Sequence, residues 1–70
     1  MDEFDKEDFE GAIADYSSSI RLFPGDAETY YYRALAKFEM GNNYDACLDL
    51  NAASELGLEE ATKSIKKNCK

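Results

Sequence analysis

Apolar residues recur along the chain at helical spacing, and no stretch alternates as a strand would. Phe9, Ala12, Ile13, Tyr16, Ile20 and Phe23 share one stripe that stops at Pro24-Gly25. Asp5 or Asp8 can cap its start. Asp26 reads as the N-cap of a second helix, with Tyr30, Ala34, Leu35 and Phe38 on one side and Gly41 as its stop. Asn42 or Asn43 opens a third, in which Ala46, Cys47, Leu50, Ala53 and Leu56 line up before Gly57. Glu59-Glu60 open a short fourth with Ala61, Ile65 and Cys69 spaced four apart. No Asn-Gly hairpin turn is present. Short connections force consecutive helices to run antiparallel, so the expected fold is all-α, a single domain over residues 1–70 with no linker or low-complexity segment.

Composition narrows what such a fold can do. With 70 residues the chain holds one domain, and it buries only about 60% of the surface its unfolded form exposes. A deep active-site cavity is not expected. The absence of histidine removes imidazole acid/base pairs, Ser-His-Asp and Cys-His triads, and imidazole metal ligands. A net charge of −7 argues against a phosphate-backbone binder, since no cationic surplus exists to release counterions. The two cysteines, Cys47 and Cys69, are too few for a disulfide scaffold and form no Cys-x-x-Cys pair. No apolar run approaches the roughly 18 residues of a membrane span, and the acidic start is unlike a secretory signal. A cytoplasmic, non-enzymatic protein without cofactor or metal is expected, with no nucleic-acid or membrane partner.

Charge is distributed unevenly. Residues 1–10 are strongly acidic, with Asp2, Glu3, Asp5, Glu7, Asp8 and Glu10 against Lys6 alone. Residues 61–70 carry Lys63, Lys66, Lys67 and Lys70 and no acid. Acids at the start of a first helix and lysines at the end of a last one complement the helix dipoles. The acidic start also invites a calcium reading, but an EF-hand loop beginning at Asp5 would need glycine where Glu10 stands. Cys47 reads as a small core residue and Cys69 as an exposed one in the last turn. Ser17-Ser18-Ser19 has no basic docking residue beside it.

The chain repeats on itself at an offset of 34: Ala12 matches Ala46, Asp15 matches Asp49 and Leu22 matches Leu56. Ile13/Cys47 and Tyr16/Leu50 are chemically alike at the same offset. That period is the one at which helix-turn-helix units of tetratricopeptide arrays stack. Residues 27–58, AETYYYRALAKFEMGNNYDACLDLNAASELGL, resemble one complete tetratricopeptide repeat. Tyr30 stands at its large aromatic position, Ala34 at the small residue of the first helix, Gly41 in the turn, and Ala46 and Ala53 at the small residues of the second helix. Residues 8–24 resemble the second helix of a preceding, partial repeat, with Phe9, Ala12, Tyr16, Ser19 and Pro24 in register. Residues 59–70 resemble the helix that closes such arrays. The resemblance implies antiparallel helix pairs in a short right-handed α-solenoid of four helices, like the C-terminal end of an array, with Ala12, Tyr16, Tyr30, Ala34, Ala46 and Ala53 as packing positions.

Some positions depart from that pattern. Lys37 stands where an aromatic is usual, Asn43 takes the turn aromatic's place one before Tyr44, and Leu58 replaces the closing proline. The first repeat also lacks its first helix, because residues 1–7 are too short and too acidic to supply one. The first helix would then carry a half-covered apolar face. The leading expectation is a chain cut from a longer array. Self-association across that face comes next, and a frayed end last.

For function, the resemblance implies protein recognition on the concave helix face: Glu28, Tyr31, Tyr32, Leu35 and Phe38, with Glu39 at the margin. Aromatic and acidic side chains in one strip suit a peptide or protein partner carrying basic residues. Leu35 and Phe38 can equally serve in packing. A cationic clamp for an acidic C-terminus is not expected, since Glu28, Tyr31, Tyr32 and Leu35 occupy its places. The alternative is a structural cap, or a fragment that dimerises through the unpaired first helix and binds nothing else.

Overall fold

The structure, a computed structural model, describes residues 8–69. It is all-α, with four helices: α1 (Phe9–Leu22), α2 (Ala27–Glu39), α3 (Asn43–Glu55) and α4 (Glu59–Asn68). Of the acidic start over residues 1–10, the part in residues 1–7, including the capping candidate Asp5, lies outside the described residues. Asp8, Asp26 and Asn42 occupy the N-cap positions of α1, α2 and α3, and Leu58 that of α4. None of these caps makes a side-chain bond to the helix backbone. Asp26 instead accepts a hydrogen bond from the Thr29 hydroxyl at 2.8 Å.

Two helix ends explain the tight turns. Gly41 (φ 86°) and Gly57 (φ 106°) adopt the left-handed conformation that glycine enters without a Cβ penalty. Beyond each, the chain doubles back. Asn42 N–H donates to the Lys37 carbonyl at 2.9 Å, and Leu58 N–H to the Ala53 carbonyl at 3.1 Å. Gly41 and Gly57 N–H groups reach the Phe38 and Ser54 carbonyls, completing a Schellman motif at both ends. These stops set α2 against α3, and α3 against α4.

The core is built mainly from alanine. Ala34 of α2, Ala46, Leu50 and Ala53 of α3 and Ala61 of α4 have 0% exposure and form one cluster. Tyr30, Tyr31, Phe38, Leu58 and Ile65 pack around it, partly buried. Small residues at the facing positions let the backbones approach, while the larger side chains close the sides. Among the described residues, every fully covered apolar residue lies in α2, α3 or α4. Helix α1 has no buried residue, although its apolar positions recur at helical spacing from Phe9 to Ile20.

A polar clamp joins three helices beside this core. Arg33 of α2 donates from Nε and Nη2 to the two carboxylate oxygens of Asp49 in α3, each at 2.8 Å. Its Nη1 donates to Ser17 Oγ of α1 at 2.9 Å. Lys37 Nζ adds a second cation at 3.1 Å from Asp49. Asp49 is buried, and its hydrogen bonds to Arg33 hold the guanidinium even more firmly protonated than usual. Lys37, the departure at an aromatic position, is thereby explained: it balances a carboxylate that the repeat places against the core.

Cys47 and Cys69 are joined by a disulfide, with Cα atoms 5.9 Å apart. This bond replaces the expected pair of separate thiols, Cys47 inside and Cys69 exposed. Cys47 lies in the second turn of α3 and Cys69 caps the C-terminus of α4, and the antiparallel return of α4 brings those points together.

Candidate functional site

The half-covered side of α1 forms one wall of an open groove, and α2 forms the other. Phe9, Ala12 and Tyr16 project from α1, and Tyr32, Leu35, Ala36 and Glu39 from α2, around a volume of about 240 Å³. Helical periodicity explains the lining: residues three and four apart fall on one face. Tyr16 and Tyr32 stack across the groove with ring centroids 6.3 Å apart, and Tyr31 tilts against Tyr32 at 5.7 Å. Tyr32 remains 48% exposed and Leu35 38% exposed, so the groove offers aromatic and aliphatic surface to a partner.

Its surroundings are acidic. Glu39 lines the groove, and Glu28 stands exposed one turn before Tyr32. Asp8, the N-cap, and Asp15 of α1 are exposed; helical spacing puts Asp15 one turn beyond Ala12, on the edge away from Ser17 and the clamp, and the Asp8 side chain lies against Gly11. The cations of α2, Arg33 and Lys37, are both turned toward Asp49.

The five residues expected to form a binding strip are divided by the fold. Tyr32 and Leu35 line the groove, with Glu28 exposed beside them. Tyr31 and Phe38 are half-buried and pack against the core. Of the six packing positions, Ala34, Ala46 and Ala53 are fully buried and Tyr30 packs on them, while Ala12 and Tyr16 line the groove. The clamp escaped the sequence reading. Its signal was an aspartate at position 49, three residues after Ala46 and four before Ala53, on a stripe otherwise apolar.

Among the described residues, no group of acidic or cysteine side chains is arranged to hold a metal ion. Nor is any helix there long and apolar enough to cross a membrane.

Four antiparallel helices, close-packed through small residues and repeating at a fixed step, define an all-α helical-repeat protein. A family model described as TPR repeat matches residues 2–41, and the chain belongs to that family. No curated protein and no solved structure matched the chain. Repeats of this family generally mediate protein–protein interactions and are generally not enzymes.

Proposed function

We propose that the chain is a non-enzymatic module that binds a segment of another protein on the exposed face of α2. Tyr32 and Leu35 supply the apolar contact, and Glu28 and Glu39 orient a partner carrying basic residues. Tyr31 and Phe38 hold α2 on the core and define the margin of the strip. In this reading α2 and α3 form one complete repeat over residues 27–58. Helix α1 is the remnant of a preceding repeat, and α4 caps the stack. The observation that carries the proposal is the open aromatic groove ringed by exposed acids, a combination of apolar area and charge suited to recognition.

The reading is tested by titrating the isotope-labelled chain with a panel of lysine-containing peptides and following amide shifts. Shifts gathered on Glu28, Tyr32 and Leu35 are expected, and Tyr32→Ala should weaken binding about tenfold with helicity unchanged. Loss of helicity in Tyr32→Ala, or shifts scattered over α3 and α4, overturns it. A second reading, self-association through α1, is favoured by that helix's half-covered stripe. A concentration-dependent dimer in sedimentation, abolished by Ile13→Glu, would establish it.

A further inference from the structure

We propose that Ser17 is a phosphorylation site, and that a phosphate placed there is clamped by Arg33 and Arg21 and locks α1 onto α2. This lock stands whatever the groove binds.

The sequence sets no basic residue immediately beside Ser17-Ser18-Ser19, but the fold brings one to the first of them. Arg33 of α2 donates from Nη1 to Ser17 Oγ at 2.9 Å. Arg21, exposed, follows Ser17 by four residues on α1 and so shares its side of the helix. The positions one turn from Ser17 in either direction are Ile13, Ala14, Ile20 and Arg21, with no acid among them. Ser18 and Ser19 differ, because Asp15 stands three residues before one and four before the other. A dianion on either would face that carboxylate across one turn.

Charge at the clamp is unbalanced. Arg33 and Lys37 bring two cations to the one carboxylate of Asp49. That carboxylate engages Nε and Nη2 of the guanidinium, while Nη1 is directed at a neutral hydroxyl. A phosphate on Ser17 would bring close to two negative charges and three strong acceptor oxygens to this point. Arg21, Arg33 and Lys37 would then face about three negative charges, Asp49 included. Charge-assisted bonds of this kind are about twice as strong as neutral ones.

A half-buried serine in a helix reaches a kinase only when the helix opens. Helix α1 meets that condition: it has no buried residue, and Gly11 and its three serines all rank below alanine in helix propensity. In the transfer, Ser17 Oγ bonds to the terminal phosphorus of a nucleoside triphosphate and the bond from that phosphorus to the bridging oxygen breaks. The nucleoside diphosphate leaves, and the hydroxyl proton passes to the kinase's base. When α1 closes again, the phosphate meets Arg33. Tyr16, the preceding residue, stacks on Tyr32, so the lock also steadies one wall of the groove.

The test compares amide hydrogen exchange in the unmodified chain with chains carrying phosphoserine at position 17 or at position 18. Phosphate at 17 should slow exchange of the amides of residues 13–20 about tenfold, whereas phosphate at 18 should speed it. Arg21→Gln should reduce the gain at 17 and leave the unmodified chain unchanged. The phosphorus resonance at 17 should titrate at lower pH than that at 18, since nearby cations favour the dianion. Equal or faster exchange with phosphate at 17 overturns the lock, as does the same gain at 18. Inorganic phosphate added to the unmodified chain separates a free anion from a covalent one: the same protection from it overturns the assignment to Ser17. Treated with a panel of serine kinases and MgATP, the chain should carry phosphate at Ser17 by mass spectrometry. Phosphate confined to Ser18 or Ser19, or none at Ser17 from any kinase of the panel, overturns the site.

Discussion

The two ends of this small stack are built from corresponding residues and finished differently. At the closed end, Ala46, Asp49 and Leu50 are buried between α2 and α4. At the open end their counterparts Ala12, Asp15 and Tyr16 are half-buried or exposed. The same positions of the repeat thus act as core in one place and as surface in the other. Burial follows from neighbours, since a repeat helix covers its apolar face only against the next helix. The substituted residues fit that division. A branched aliphatic fills the closed site at Leu50, whereas an amphipathic tyrosine at Tyr16 tolerates water at the open one.

Paired substitutions across the repeat test this contrast. The largest effect is expected at the core: Leu50→Ala should cost about 3 to 4 kcal/mol, and Tyr16→Ala about 1 kcal/mol. Urea unfolding measures both, and equal losses would mean that α1 is packed as tightly as α3. Reduction of Cys47–Cys69 comes next. The bond spans 22 residues, which predicts a loss of about 3 kcal/mol through restored chain entropy. Thermal unfolding with and without reductant should show it, with Cys69→Ser insensitive to reductant as the control. An unchanged midpoint on reduction would mean that α4 is held by Ala61 and Ile65 alone.

Asp49→Ala should cost about 2 to 3 kcal/mol, because it strands Arg33 and Lys37 beside the core, and the repeat-mate change Asp15→Ala less than about 0.5 kcal/mol. If Asp15→Ala costs as much, the exposed aspartate has a structural partner and the contrast between the ends fails. The smallest difference concerns the turns. Gly41→Ala should lose about 1 kcal/mol, since alanine pays for a left-handed φ. Gly25→Ala, with nothing within 4 Å of an added Cβ and no left-handed φ, should be near neutral.

Much of the fold was legible in particular residues. The stripe from Phe9 to Phe23, the stops at Pro24-Gly25, Gly41 and Gly57, and the lack of alternation all follow from local rules of spacing and backbone freedom. The site was less legible. Tyr30, Tyr31 and Tyr32 stand in a row, and periodicity says only that they cannot share a face. Tyr31 packs inward while Tyr32 stays out because α1 leaves room on one side of α2 and the core lies on the other. Arg33 and Lys37 look like solvated charges until Asp49 is seen to be buried opposite them.

The sequence alone therefore determined the helices, their antiparallel order and the 34-residue step, because these depend on residues close in the chain. Tertiary structure decided which copy of the repeat surface is core and which is groove. It also paired Arg33 with Asp49 and Cys47 with Cys69. Those outcomes depend on which helix lies across another, a relation between residues 16 to 22 positions apart that no local pattern encodes.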